Sequence, residues 1–232
     1  MFDTVSSDLR PTSRSAPSGP GVIAVSVAPV ITARRRLSMV LKRLFDVFCA
    51  LSALIVLAPA LIAIAVAVAL ESPGPVLFRQ RRTGQGGKVF RIMKFRTMTV
   101  TEDGDVIKHA SKNDKRVTRI GGFLRETSLD ELPQLFNIVL GDMSVVGPRP
   151  HALAHDAHYG ALLPRYTDRF AVRPGLTGFA QVQGLRGEIH DLDCMARRID
   201  ADCHYAASWS FRSDLMLIVR TVPMLVKRVN AY

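Results

Sequence analysis

The sequence predicts a mostly helical α+β protein with one membrane-inserted segment and a small domain beside it. Three observations carry this. Val47 to Leu70 reads VFCALSALIVLAPALIAIAVAVAL, with no charge in it. Val76 to Lys94 reads as strand, glycine turn, strand. Five later stretches between Gly121 and Val229 read as helices.

The apolar run is long enough for a membrane segment. As one straight helix it reaches about 36 Å, against a hydrocarbon core of about 30 Å. Pro59 lies at its middle, with Arg34, Arg35, Arg36, Lys42 and Arg43 upstream and Arg79, Arg81, Arg82, Lys88 and Arg91 downstream. Basic flanks mark the cytoplasmic side. Two readings follow. One is a spanning helix with a tolerated proline. The other is a segment that kinks at Pro59, dips in and returns.

The elements follow in order. Residues 1–37 are rich in Ser, Pro and Arg and read as a mobile tail. Gly21 to Ala33 is a short apolar patch within it, too short to span. The membrane helix starts near Ser38 and stops at the breaker Ser72 to Pro75. Val76 to Gln80 and Lys88 to Lys94 are strands, with Gly84, Gly86 and Gly87 in the turn. Residues 100–116 are polar and read as a loop. Helices are expected over Gly121 to Thr127 and Asp130 to Leu140. For the second, Ser128 is the expected N-cap, with Glu131 completing a capping box. Gly141 ends it. His151 to Leu163 reads as helix, RPGLTGFAQVQG as turns and a short strand. Leu192 to Ser208 and Phe211 to Val229 read as helices, the last apolar, basic and bent by Pro223. It lies on a membrane surface or packs on the domain.

Composition narrows the function. Across 232 residues, 31 Lys and Arg face 20 Asp and Glu, a formal charge of +11. That balance suits nucleic acid, anionic lipid or phosphorylated substrates. Nucleic acid is disfavoured: the chain has one Trp and four Tyr, and its basic residues cluster beside the apolar run. Cys49, Cys194 and Cys203 form no CxxC pair, which fits a reducing compartment. The first residues lack the pattern of a cleavable signal.

The candidate chemistry centres on Asp130 and Glu131 in SLDELPQL. Adjacent helical residues point about 100° apart, so the two acids can do different work. They could equally be acids that complement a helix N-terminus. Arg125 precedes them, Arg149 lies between two prolines, and Lys94 and Arg96 end the hairpin. Arginine reads phosphate oxygens with a planar fork. A carboxylate among such cations suits phosphoryl transfer with a divalent ion, or else forms weak surface ion pairs. His151, His155 and His158 have the spacing of one helix face, which can bind zinc, but no Glu completes an HExxH pattern.

Four stretches together resemble the bacterial sugar transferases, monotopic polyprenyl-phosphate phosphoglycosyl transferases. They are KRLFD (Lys42 to Asp46), SPGPVLFRQRRTGQGGKVFRIMKFRTM (Ser72 to Met98), FLRETSLDELPQLFNIVLGDMSVVGPRP (Phe123 to Pro150) and RPGLTGFAQVQGLRGE (Arg173 to Glu188). The GLRGE stretch is similar to the hexose-1-phosphate branch. The resemblance implies a re-entrant membrane helix hairpin, a cytoplasmic domain with a β-hairpin, and interfacial amphipathic helices. The domains expected are a tail over 1–37, the re-entrant helix over 38–71 and the transferase domain over 72–232. It implies that Asp130 is the nucleophile, supported by Glu131, with both acids at a Mg²⁺ site. Arg125, Arg149, Lys94, Arg96 and Arg186 would bind phosphates or nucleotide, and Pro59 would break the membrane helix. The implied substrates are a UDP-hexose (UDP-glucose favoured, UDP-galactose next) and undecaprenyl phosphate, at the bacterial inner membrane with the active site facing the cytoplasm. The implied context is exopolysaccharide or glycoconjugate synthesis. A homo-oligomer stays open, and nucleic acid is not an expected partner. One departure stands out: Ala58 precedes Pro59, where members often carry serine. The competing class is a membrane-anchored scaffold or regulator that binds anionic lipid without catalysis.

Overall fold

A computed structural model describes residues 33–99, 114–187, 189 and 191–227. Residues 1–32, with the apolar patch beginning at Gly21, and most of the polar loop at 100–116 lie outside the described residues. The described chain is mostly helical. Helix α1 (Ala33–Glu71) leads into the hairpin β1 (Leu77–Thr83) and β2 (Val89–Phe95). Then come α2 (Arg119–Thr127), α3 (Gln134–Leu140), β3 (Ser144–Val146) and α4 (Leu153–Leu162). Strand β4 (Gly175–Thr177), α5 (Phe179–Val182), α6 (Leu192–Ser208) and α7 (Phe211–Lys227) complete it. β1 and β2 pair antiparallel, while β3 and β4 form a second, parallel pair.

Helix α1 begins earlier than expected and runs through Pro59 as one helix. Its two faces differ. Ala50, Ala53 and Leu54 pack against Phe90, Ile92, Leu135, Ile138 and Met143. Further along, Leu61, Ile64, Ala65 and Val68 pack against Phe95 and Leu124. Each fully buried Phe, Leu or Ile here contributes about 1.5–3 kcal/mol. The other face exposes Leu41, Leu44, Phe48, Leu51, Ile55 and Ile62, at helical spacing. Water does not tolerate an apolar stripe of this length, so that face requires lipid or protein cover. Among the described residues, this is the one helix long and apolar enough to cross a membrane.

Polar contacts fasten α1 near both ends. Lys42 donates to Asp214 on α7 at 2.5 Å and to the Val146 carbonyl at 3.2 Å. Arg43 donates to the Ile138 and Val139 carbonyls at 2.6 and 2.9 Å, in the last turn of α3. Asp46 accepts from the Val145 N–H at 3.1 Å. At the other end, buried Arg96 donates to the carbonyls of Val68, Ser72 and Pro73 at 3.3, 2.5 and 3.1 Å. Glu71 accepts from the Ile120 N–H at 2.8 Å, at the start of α2.

The segment between α2 and α3 departs from expectation. Ser128 is not an N-cap: its φ of 59° ends α2 in the left-handed region, and its side chain caps no helix. Leu129–Glu131 form a tight 3₁₀ turn, and α3 starts only at Gln134. Pro133 supplies the reason. It has no N–H, and its ring would clash with the Leu129 carbonyl in a continuous α-helix. That carbonyl instead accepts from the Leu132 N–H at 3.3 Å. Gly141 ends α3 at φ 98°, as expected.

Candidate active site

The 3₁₀ turn holds Asp130 and Glu131, 8% and 6% exposed. At three residues per turn they point about 120° apart. Asn137, one turn along α3, positions them against the hairpin. Its side chain donates to the Arg91 carbonyl at 2.8 Å and accepts from the Met93 N–H at 2.9 Å. That stitch brings Lys94, the next residue on β2, to Glu131.

Glu131 is fully engaged. Lys94 Nζ donates to its Oε1 at 2.9 Å. Arg149 forks onto both oxygens, Nη2 to Oε1 at 2.5 Å and Nη1 to Oε2 at 3.1 Å. Burial opposes ionisation, but Arg149 and Lys94 outweigh it and hold the carboxyl well below the usual range. Asp130 differs. Among the described residues no protein donor hydrogen-bonds its carboxylate. Burial pushes it above the ordinary aspartate value, with Glu131 adding to the rise; Lys94, Arg149 and Arg125 pull the other way. Burial likewise lowers Lys94, and Arg149 lowers it further, while Glu131 and Asp130 oppose this.

The remaining predicted residues divide. Arg186 donates to Ser128 Oγ at 2.8 Å, and its charge acts on Glu131. Arg125 acts on Asp130 from the last turn of α2. Lys94, Arg125, Arg149 and Arg186 therefore converge on the acid pair. Arg96 does not: it is 4% exposed and spends its donors on the end of α1. Its partners are three main-chain carbonyls and the Ser72 hydroxyl, at 3.0 Å. The three histidines do not share a helix face, because His151 precedes α4, and its Nδ1 accepts from Arg169 at 2.8 Å. The cysteines are free.

Among the described residues, four cations around two carboxylates leave an excess of positive charge beside Asp130, whose carboxylate has no protein donor there. Such a site suits a substrate carrying two phosphates. No cluster of three or more His, Cys, Asp or Glu side chains occurs among the described residues. Mg²⁺ does not need one, since it commonly takes one or two carboxylates with substrate phosphates and water. Asp130, whose oxygens have no protein donor among the described residues, fits such a site, with Glu131 adjacent.

Sequence reasoning missed the supports. Lys42, Asp46 and Asp214 join α1 to α7, and Arg169 with Asp202 lies beneath Arg149. The i, i+4 pair Lys42 and Asp46, at the edge of an apolar run, was a usable signal. Nothing in RYTDRFAVRPG marks Arg169 as buried.

The profile of the family described as "Bacterial sugar transferase" matches residues 37–228. A UDP-glucose:undecaprenyl-phosphate glucose-1-phosphate transferase of Caulobacter vibrioides is 52% identical over 191 residues, 82% of this chain and 72% of its own length. A protein of the same description from Xanthomonas campestris is 50% identical, over 84% of this chain but 40% of its own length. The exopolysaccharide production protein PSS of Rhizobium leguminosarum is 49% identical, over 80% of this chain and 95% of its own length. The chain therefore matches about two-fifths of the Xanthomonas protein, 72% of the Caulobacter one and nearly all of the Rhizobium one. By the matched residues and these identities, the chain belongs to the bacterial sugar transferase family.

Proposed function

We propose that the protein transfers hexose 1-phosphate from a UDP-hexose to undecaprenyl phosphate, as the first membrane step of exopolysaccharide or glycoconjugate synthesis. The observation that carries this is the division of labour in the acid pair. Glu131 is clamped by Arg149 and Lys94, while Asp130 has no protein donor among the described residues. UDP-glucose is the favoured donor, because the two relatives at 52% and 50% identity are described as using it. A UDP-galactose–lipid carrier transferase of Erwinia amylovora, at 37%, makes UDP-galactose the next candidate.

In the first step, an Asp130 carboxylate oxygen attacks the β-phosphorus, which bears the sugar. The bond from that phosphorus to the bridging oxygen breaks, and UMP leaves with the electron pair. In the second step, an oxygen of undecaprenyl phosphate attacks the same phosphorus. The acyl phosphate bond breaks, the carboxylate is restored, and the lipid carries a diphosphate-linked sugar. The covalent step lets two bulky substrates use one site in turn. Arg149, Arg125 and Arg186 neutralise phosphate charge, and Glu131 holds Arg149 and Lys94 in place. Mg²⁺, held by Asp130 with Glu131 beside it, would supply further neutralisation of the diphosphate.

The site faces the cytoplasm at the inner membrane, and α1 enters the bilayer and returns. Two features support this. Residues Lys42 to Asp46 and Val68 to Pro73 are fastened to the same domain. A helix crossing about 30 Å of hydrocarbon would separate them. The apolar stripe opposite those contacts is exposed along the helix.

The test is incubation of the purified protein with sugar-labelled UDP-glucose and Mg²⁺, without lipid. The label is expected on the protein and absent from Asp130→Asn. A folded, nucleotide-binding wild type that stays unlabelled contradicts the covalent route.

A further inference from the structure

We propose that Arg169 is a positioning residue for the transferase reaction, acting by gripping the main chain that carries Arg149. The inference rests on the assignment of Arg149 and Glu131 to the phosphoryl-transfer site.

Arg149 stands in Gly147 to His151, a stretch without helix or strand. Pro148 and Pro150 fix their own φ and supply no N–H, and Pro150 restricts Arg149 as well. The freedom that remains is rotation of the peptide linking Arg149 to Pro150. The Arg149 carbonyl reports that rotation, and Arg169 holds it: Nη2 donates to that oxygen at 2.5 Å. Nη1 donates to His151 Nδ1 at 2.8 Å, so one guanidinium grips the chain on both sides of Pro150. Arg82 adds a bond from β1 to the Pro150 carbonyl at 3.2 Å.

Arg169 is itself immobilised. It is 2% exposed. Its Nε and Nη2 donate to Asp202 Oδ2 on α6 at 3.1 and 2.7 Å. The rings of Tyr166 and Phe170 lie 5.4 and 5.9 Å from its guanidinium carbon. Burial lowers His151 well below its ordinary value, and Arg169 reinforces this, so the ring stays neutral and Nδ1 can accept. Lysine cannot reproduce the set. Its ammonium lacks the planar fork that reaches a carbonyl, an imidazole and a carboxylate at once. The chain of contact runs from α6 through Asp202 and Arg169 to the Arg149 main chain, and from the Arg149 side chain to Glu131.

The test compares the full chain in lipid nanodiscs as wild type, Arg169→Lys, Arg149→Ala and the double variant. Adduct formation from UDP-glucose is measured at saturating donor. Arg169→Lys is expected to slow it by about 10- to 100-fold, the range for a misplacement near 1 Å. In the Arg149→Ala background the same change is expected to alter the rate by less than about twofold, since coupled residues are not additive. An equal loss in both backgrounds overturns the proposal. A second measurement needs no turnover: UMP binding by calorimetry. Arg169→Lys is expected to weaken it several-fold in the wild-type background and by less than about twofold beside Arg149→Ala, and an affinity unchanged from wild type overturns the proposal. If the wild type forms no adduct, the transferase reading fails while UMP binding still decides the role of Arg169. Should Arg169→Lys not fold, Asp202→Asn replaces it, with a smaller rate loss expected that again vanishes beside Arg149→Ala.

Discussion

Arg149 meets Glu131 with both terminal nitrogens, at 2.5 and 3.1 Å. The pairing takes one oxygen each way and leaves Glu131 no freedom to attack. It also places a fixed cation beside Asp130. Arg149→Lys keeps the charge but loses the fork. Adduct formation is expected to fall by about 10- to 100-fold, the size of a lost charge-assisted bond or a comparable misplacement. Quenched-flow labelling with UDP-glucose measures it.

The two acids predict opposite pH effects. Asp130 sits above its ordinary value, chiefly through burial. Its nucleophilic form is therefore lost as pH falls through a value higher than that of a free aspartate. The acid limb of the adduct rate is expected to lie above the ordinary aspartate value. Arg125→Gln removes a lowering charge and moves that limb further up. A pH–rate profile of both proteins checks the direction.

Glu131 lies well below its ordinary value, because Arg149 and Lys94 outweigh burial. Its contribution to stability is present above the unfolded value of about 4.3 and disappears as pH falls through the lower folded one. Glu131→Gln lacks that contribution, so its melting temperature is expected to lie below wild type at neutral pH. The difference shrinks in acid, as thermal unfolding at several pH values will record.

Topology is tested directly at the ends of α1. With native cysteines replaced, Leu37→Cys and Pro75→Cys are each expected to react with a reagent only from the cytoplasmic side. Both positions are exposed. Labelling of one of them from the periplasmic side would instead mean a spanning helix.

Arg96 separates what was legible in the sequence from what was not. Its place at the end of a basic hairpin pointed to phosphate, yet its guanidinium closes the open carbonyls of α1. Arg96→Met is expected to cost about 2 kcal/mol or more in stability. The folded fraction should keep an unchanged apparent affinity for UDP-glucose, as thermal unfolding and ligand titration will distinguish.

The same division runs through the molecule. The hairpin, α3's glycine stop and the last two helices were legible because glycine, proline and hydrophobic spacing act locally. Asp130 and Glu131 were legible as adjacent acids among arginines. Ser128 misled because Pro133, five residues on, controls the turn. Arg169 was not legible, since its burial depends on α6, over thirty residues away, and no local rule reports a contact of that separation. Lys42 and Asp214 are likewise far apart in sequence.

The central claim is that Asp130 carries the sugar phosphate. The direct measurement is mass mapping of the protein after incubation with UDP-glucose and Mg²⁺, followed by a chase with undecaprenyl phosphate. The expected result is a hexose-phosphate adduct on the peptide containing Asp130, released into lipid during the chase and absent from Asp130→Asn. Lipid product formed at full rate by Asp130→Asn, or an adduct on another residue, would contradict it.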